Sequence, residues 1–156
     1  MGTIQESDFY VRYHFTSENI YTDIEIENLK AKITYADKEC VGRNAENSEP
    51  QISEALWRGC LKTKKTSLSS DDIQGVRALI KQSNFMSLES VYGKKDAGRA
   101  YEYEIEVKIG DSENKVTYRS APSVPPMPQT FEEVQKRLLE IFNRIVQDSS
   151  IDSSPA

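Results

Sequence analysis

The sequence has little of what most catalytic sites are built from. One histidine and two cysteines occur in 156 residues. His14, Cys40 and Cys60 cannot be combined into any zinc-ligand spacing. A Gly-rich phosphate loop, a dinucleotide fingerprint, an HExxH helix, paired CxxC motifs, an EF-hand loop and a G-x-S-x-G elbow are all missing. No cofactor is expected, and an enzyme is the less favoured reading. A basic excess is missing too: 20 Lys+Arg against 25 Asp+Glu leave a net charge of −5. That argues against nucleic-acid binding driven by phosphate neutralisation. No apolar run approaches the roughly 18 residues of a membrane-spanning helix. The opening MGTIQESDFY lacks the basic and apolar regions of a signal peptide, so the expected location is the cytoplasm. Two cysteines are too few for a disulfide scaffold. They read as reduced thiols, with a Cys40–Cys60 bridge or a reactive thiol as alternatives.

What is present suffices for one core. Eight Tyr, five Phe and a 37% hydrophobic content oppose general disorder. The length fits a single domain, placed at residues 1–147. The small polar residues 148–156 read as a disordered tail.

Alternation of apolar and polar residues marks the strands. Phe9, Val11, Tyr13 and Phe15 alternate with Tyr10, Arg12 and His14. Ile20–Ile26 and Leu29–Tyr35 carry opposite parities, which predicts a hairpin turning at Glu27-Asn28. In that register Ile24 faces Ala31, Glu25 faces Lys30 and Asp23 faces Lys32. A bulged single strand is the alternative. The pattern is clearest at 101–119. A turn at Gly110-Asp111 pairs Ile105 with Val116 and Tyr103 with Tyr118, and sets Glu102, Glu106 and Lys108 against Arg119, Lys115 and Glu113. Residues 37–50 read as a loop. Residues 52–63 fit either a helix or a strand, with a lean to strand at 55–63.

Two helices are predicted. Ser69 can cap the first, with Asp71 and Asp72 in its first turn and Leu68 and Ile73 as a hydrophobic staple. The second opens at the capping box Thr130-Phe131-Glu132-Glu133 and buries Phe131, Val134, Leu138, Ile141, Phe142 and Ile145. Between hairpin and helix, residues 121–128 hold four of the six prolines and must be extended. The resulting fold class is α+β, an antiparallel sheet of about five to six strands with two helices packed on one face.

The segment LSSDDIQGVRALIKQSNFMSL, the hairpin YEYEIEVKIG…KVTYRS and the helix FEEVQKRLLEIF follow one another. This order over residues 68–146 resembles the emfourin family of small metallopeptidase inhibitors. The resemblance implies an inhibitor-like role and supplies no functional residues.

Candidate binding residues are basic. Arg58, Lys62, Lys64 and Lys65 cluster in one segment, and Lys94, Lys95 and Arg99 in another. The residues chosen for a partner surface are Lys94, Lys95, Arg99, Arg58, Lys62 and Lys64. Glu102, Glu104 and Glu106 read as a salt-bridged solvent face, and His14 as a strand histidine on the polar side. The expected function is a non-enzymatic interaction module with a protein partner. The alternative is a small-ligand binder or enzyme with Tyr, Glu and His14 in a sheet–helix cleft. Pairing of two copies through a sheet edge is a further mode.

Overall fold

The computed structural model describes residues 8–17, 20–37, 39–40, 59–95 and 100–155. In chain order they form β1 Phe9–Thr16, β2 Tyr21–Glu27, β3 Lys30–Ala36, β4 Leu61–Ser67, α1 Ser70–Gln82 and a 3-10 turn at Phe85–Ser87. There follow β5 Val91–Gly93, β6 Tyr101–Ile109, β7 Ser112–Ser120, α2 Gln129–Gln147 and β8 Ser153–Pro155. The eight strands make one sheet in the order β5-β7-β6-β1-β2-β3-β4-β8. Every pairing is antiparallel except β5 on β7. The sheet exceeds the expected five to six strands because β5 and β8 are three residues each. Segments that short carry no alternation to read.

The β6–β7 hairpin has the predicted register: Ile105 opposes Val116, Tyr103 opposes Tyr118 and Glu102 opposes Arg119. Gly110 supplies the positive φ of the turn. The β2–β3 hairpin turns one residue later than predicted, at Asn28-Leu29. Ile24 therefore opposes Ile33, Glu25 opposes Lys32 and Asp23 opposes Thr34. Asn28 decides the turn. It takes the left-handed φ of 57°, its amide donates to the Phe9 carbonyl (2.8 Å), and its Oδ1 accepts from the Phe9 amide (3.1 Å). The turn is thereby fastened to the start of β1. Strand faces survive the shift, because both residues of each cross-strand pair keep their parity.

One apolar cluster joins Val11, Tyr13, Ile24, Ile33, Ile105 and Val116 of the sheet to Ile73, Val76 and Ile80 of α1 and to Phe131, Val134 and Leu138 of α2. Fully burying each such side chain contributes about 2 kcal/mol. Tyr13 reaches across the cluster, where Gln135 Nε2 donates to its hydroxyl (2.9 Å). Ser69 caps α1 as predicted, accepting from the Asp72 amide at 3.1 Å. The predicted box on α2 does not form. The helix starts behind Pro128 with no side-chain cap, and Thr130 Oγ1 instead donates to the Ser83 carbonyl at the end of α1 (3.0 Å). Arg144 adds a two-point contact from α2 to Asp72 of α1.

Two further expectations are corrected, and a third is met in part. Cys40 and Cys60 are not reduced thiols but a disulfide, with Cα atoms 5.6 Å apart. Beside it the Asp37 amide donates to the Cys60 carbonyl (2.9 Å), so the bridge closes the β3–β4 connection at its base. Of the ambiguous 52–63 segment, residues 61–63 open β4, in line with the lean to strand, and residues 41–58 lie outside the described residues. The tail does not stay free: Ser153–Ser154–Pro155 pair with Lys64–Thr63–Lys62 as the outermost strand.

Candidate functional site

The sheet face turned away from the apolar cluster is built in rows, because side chains of one parity line up across paired strands. The central row runs Lys115, Glu106, Arg12, Glu25, Lys32, Lys65 from β7 to β4. Charge alternates at every step until β3 meets β4, where lysine opposes lysine. On one side of it lies Glu113, Lys108, Tyr10, Glu27, Lys30, Ser67. On the other lies Thr117, Glu104, His14, Asp23, Thr34, Thr63.

The β1–β2 part of this face is a closed polar network. Asp23 is only 5% exposed. His14 Nδ1 donates to its Oδ2 at 2.8 Å, and Arg12 donates to the same oxygen from Nε at 3.2 Å and from Nη2. Burial alone would push the Asp23 carboxyl up. The bonds from His14 and Arg12, with the guanidinium charge, outweigh it and hold the carboxyl below its ordinary range. Its own bond to Asp23 holds the Arg12 guanidinium protonated against burial. Tyr21 packs edge-on against the His14 ring, with centroids 5.3 Å apart. Tyr10 donates to Glu25 Oε2 (3.4 Å) and carries the Lys108 ammonium 5.4 Å above its ring. Burial, then Glu25, push the Tyr10 hydroxyl up to about 12. At β6–β7, Arg119 forms an ion pair with Glu102, Nε to Oε2 2.9 Å. Lys115 reaches Glu104 diagonally at 3.6 Å, in place of Glu106 opposite it.

The β3–β4 part is different. Among the described residues, Lys30, Lys32 and Lys65 make no ion pair and all three are exposed. With Glu25, Glu27, Leu29 and Ser67 they line an open groove of about 800 Å³ at the β2–β3 turn. Leu29 stands at its rim, 52% exposed, because the turn places it past the last inward position.

Of the sequence-chosen basic residues, the described ones, Lys62 and Lys64 on β4 and Lys94 and Lys95 beyond β5, do not form one surface. Arg58 and Arg99 lie outside the described residues. Lys64 is buried at 7% exposure. Its ammonium donates to the carbonyls of Ile145 (3.3 Å), Val146 (3.0 Å) and Asp148 (2.9 Å), closing the C-terminal end of α2. Lys62 pairs with Asp37 at 3.1 Å. Lys94 lies beyond β5, where its amide donates to the Arg119 carbonyl (2.8 Å), and Lys95 is exposed beside Glu89, Ser90 and Val91. β5 and β4 are six strand positions apart in the sheet order, or about 29 Å at the usual strand spacing. Sequence reasoning missed Asp23 as an organising residue, because the one-residue error in the turn assigned it to Lys32. The outward Lys32–Lys65 opposition needs the β3–β4 register, which no local pattern carries. No cluster of His, Cys, Asp and Glu suited to a metal occurs among the described residues.

No protein-family model matches the chain, and no curated protein matches its sequence.

Proposed function

We propose that this chain is a non-enzymatic interaction module whose two helices cover one face of the sheet and leave the other to a protein partner. One observation carries the reading. The single imidazole commits Nδ1 to a buried carboxylate that Arg12 also holds, and among the described residues no hydroxyl or thiol bonds the ring as a nucleophile would, which favours a structural role on the sheet face. An enzyme or small-ligand site using His14 would need that ring facing a cleft; the grooves at the β2–β3 turn and beside Lys95 are lined by other residues.

The test is a comparison of wild type with His14→Ala. Neither should hydrolyse ester, phosphoester or peptide substrates above buffer, and both should crosslink the same protein from source cells. Turnover by wild type that His14→Ala abolishes would overturn the reading. The emfourin-like order of residues 68–146 favours an inhibitor-like version. Equimolar chain should then slow a thermolysin-like peptidase; an unchanged rate removes that version and leaves the interaction reading standing. Self-association through a sheet edge is less favoured, since both edges end in three-residue strands. A concentration-independent monomer in sedimentation would exclude it.

A further inference from the structure

Resting on the reading of the chain as an interaction module, we propose that the groove at the β2–β3 turn docks an acidic peptide segment of a partner protein, with a carboxylate held between Lys32 and Lys65 and an apolar side chain against Leu29.

The argument starts from the broken alternation. Directly opposed side chains on antiparallel strands sit about 5 Å apart at Cβ, and like charges there repel. Lys32 and Lys65 occupy such a pair. The carboxylate beside them, Glu25, is engaged by the Tyr10 hydroxyl. Among the described residues, Asp152, the tail acid that precedes β8, makes no ion pair with Lys65. An external carboxylate would accept from both ammonium groups and remove the repulsion. Within reach, Leu29 offers an apolar contact that a free anion cannot use. The groove volume suits a few residues of extended chain better than a folded surface.

The two walls also differ in sign. Glu25 and Glu27 stand on the β2 side; Lys30, Lys32 and Lys65 stand on the β3 and β4 side. A short acidic segment can lie along the lysine wall in one direction. A long polyanion such as nucleic acid would meet the glutamates and the net charge of −5.

The probe is a fluorescein-labelled Leu-Glu-Asp-Leu-Glu peptide, compared with its Leu-Gln-Asn-Leu-Gln counterpart on the full chain by anisotropy and amide NMR. The acidic peptide should bind about tenfold tighter than the amide one. Its affinity should fall as salt rises from about 0.05 to 0.5 M, and its shifts should fall at Leu29–Lys32 and Lys65–Ser67. Lys32→Gln with Lys65→Gln should cost about tenfold, while Lys94→Gln with Lys95→Gln costs nothing; circular dichroism checks that both remain folded. Equal binding of the two peptides, shifts elsewhere, or equal loss in both double variants would overturn the proposal. So would full displacement of the peptide by inorganic phosphate at matched charge, which would assign the groove to a free anion. Should the peptide fail while a crosslinked partner is still captured by the Lys32/Lys65 variant, the groove is wrong and the interaction reading survives. Should no partner be captured either, both fall.

Discussion

The two halves of the outward face are made of the same residue types and behave oppositely. From β7 to β2, acids and bases alternate and are mostly joined: Arg119 to Glu102, Lys115 to Glu104, Arg12 and His14 to Asp23. From β3 to β4, lysine opposes lysine and no acid among the described residues answers. Stability therefore comes from different places. The β1–β2 half is held by pairing on the face itself. The β3–β4 half is held from elsewhere: the Cys40–Cys60 bridge, the Lys62–Asp37 ion pair and Lys64 inserted under α2. With its anchors off the face, that half is free to present unpaired charge. Lysines counted along the chain therefore identify no surface. Lys64 and Lys65 are neighbours in the chain, yet one closes a helix end in the interior and the other stands idle outside.

The largest effect should follow from cutting the covalent anchor. Cys40→Ser with Cys60→Ser, or reduction, removes a cross-link that spans 20 residues; loop-closure entropy for a ring of this size is worth about 3 kcal/mol. Denaturant melts with and without reductant measure it, and amide exchange should speed up in β3 and β4 before β6 and β7. Uniform acceleration would show that the two halves do not unfold separately. Disulfides persist in oxidising compartments, so thiol labelling of the chain from its own cells also tests the expectation of a cytoplasmic location.

Lys64→Met comes next. It keeps the stem and removes the ammonium from three carbonyls, of which Ile145 and Asp148 still accept from the amides of Asp148 and Ile151 (3.2 Å each), so the loss falls mainly on Val146, at a cost of about 2 kcal/mol. The loss should localise to the last turn of α2 and to β8, read by amide exchange at Ile145–Asp148. A loss below about 0.5 kcal/mol would mean that water replaces the ammonium there.

Asp23→Asn breaks the paired half. A buried carboxylate with two cationic or donor partners would cost more, but Arg12 and His14 are themselves partly solvated, so about 2 kcal/mol at neutral pH is expected. The pH dependence has a definite sign. The folded carboxyl lies below its ordinary value of 3.8. Its contribution is therefore complete above that value and is lost as pH falls through the lowered one. The gap between wild type and Asp23→Asn should close as pH falls below about 4. A gap that widened on acidification would refute the assignment.

How much of this was legible in the sequence differs between the halves for the same reason. In β6–β7, three charge pairs and a glycine turn all specify one register, and the structure has it. In β2–β3, the inward set Ile24, Ile26, Ala31 and Ile33 is compatible with two turns, and the choice rests on the link of Asn28 to Phe9, a contact 19 residues away. The helix stripes were legible because Phe131, Val134, Leu138 and Ile141 repeat with helical period. The start of α2 was not, because Thr130 is taken by the Ser83 carbonyl, a tertiary partner. β4 reads LKTKKTS, with no apolar alternation to separate its faces. Only the end of α2 above Lys64 shows which lysine is interior. β5 and β8 are short enough that pairing, not composition, defines them.

The smallest effect discriminates best. Lys65→Glu places an acid opposite Lys32 and restores the alternation of the row. A cross-strand pair of opposite charge in place of a like pair should stabilise the fold by about 0.5 kcal/mol, an effect that salt weakens. The same change should abolish acidic-peptide binding at the groove. Lysine kept only for solubility would give the stabilisation with no binding to lose. Lysine needed by the fold would give destabilisation. A surface held in mild electrostatic tension for a partner gives gain and loss together, because the partner's carboxylate and the introduced one would compete for Lys32. Lys32→Glu should repeat the loss of binding with less stabilisation, since its gain against Lys65 is offset by repulsion from Glu25, its other cross-strand neighbour. That asymmetry between two lysines of one pair measures how far the row, and not each residue alone, sets the charge of this face.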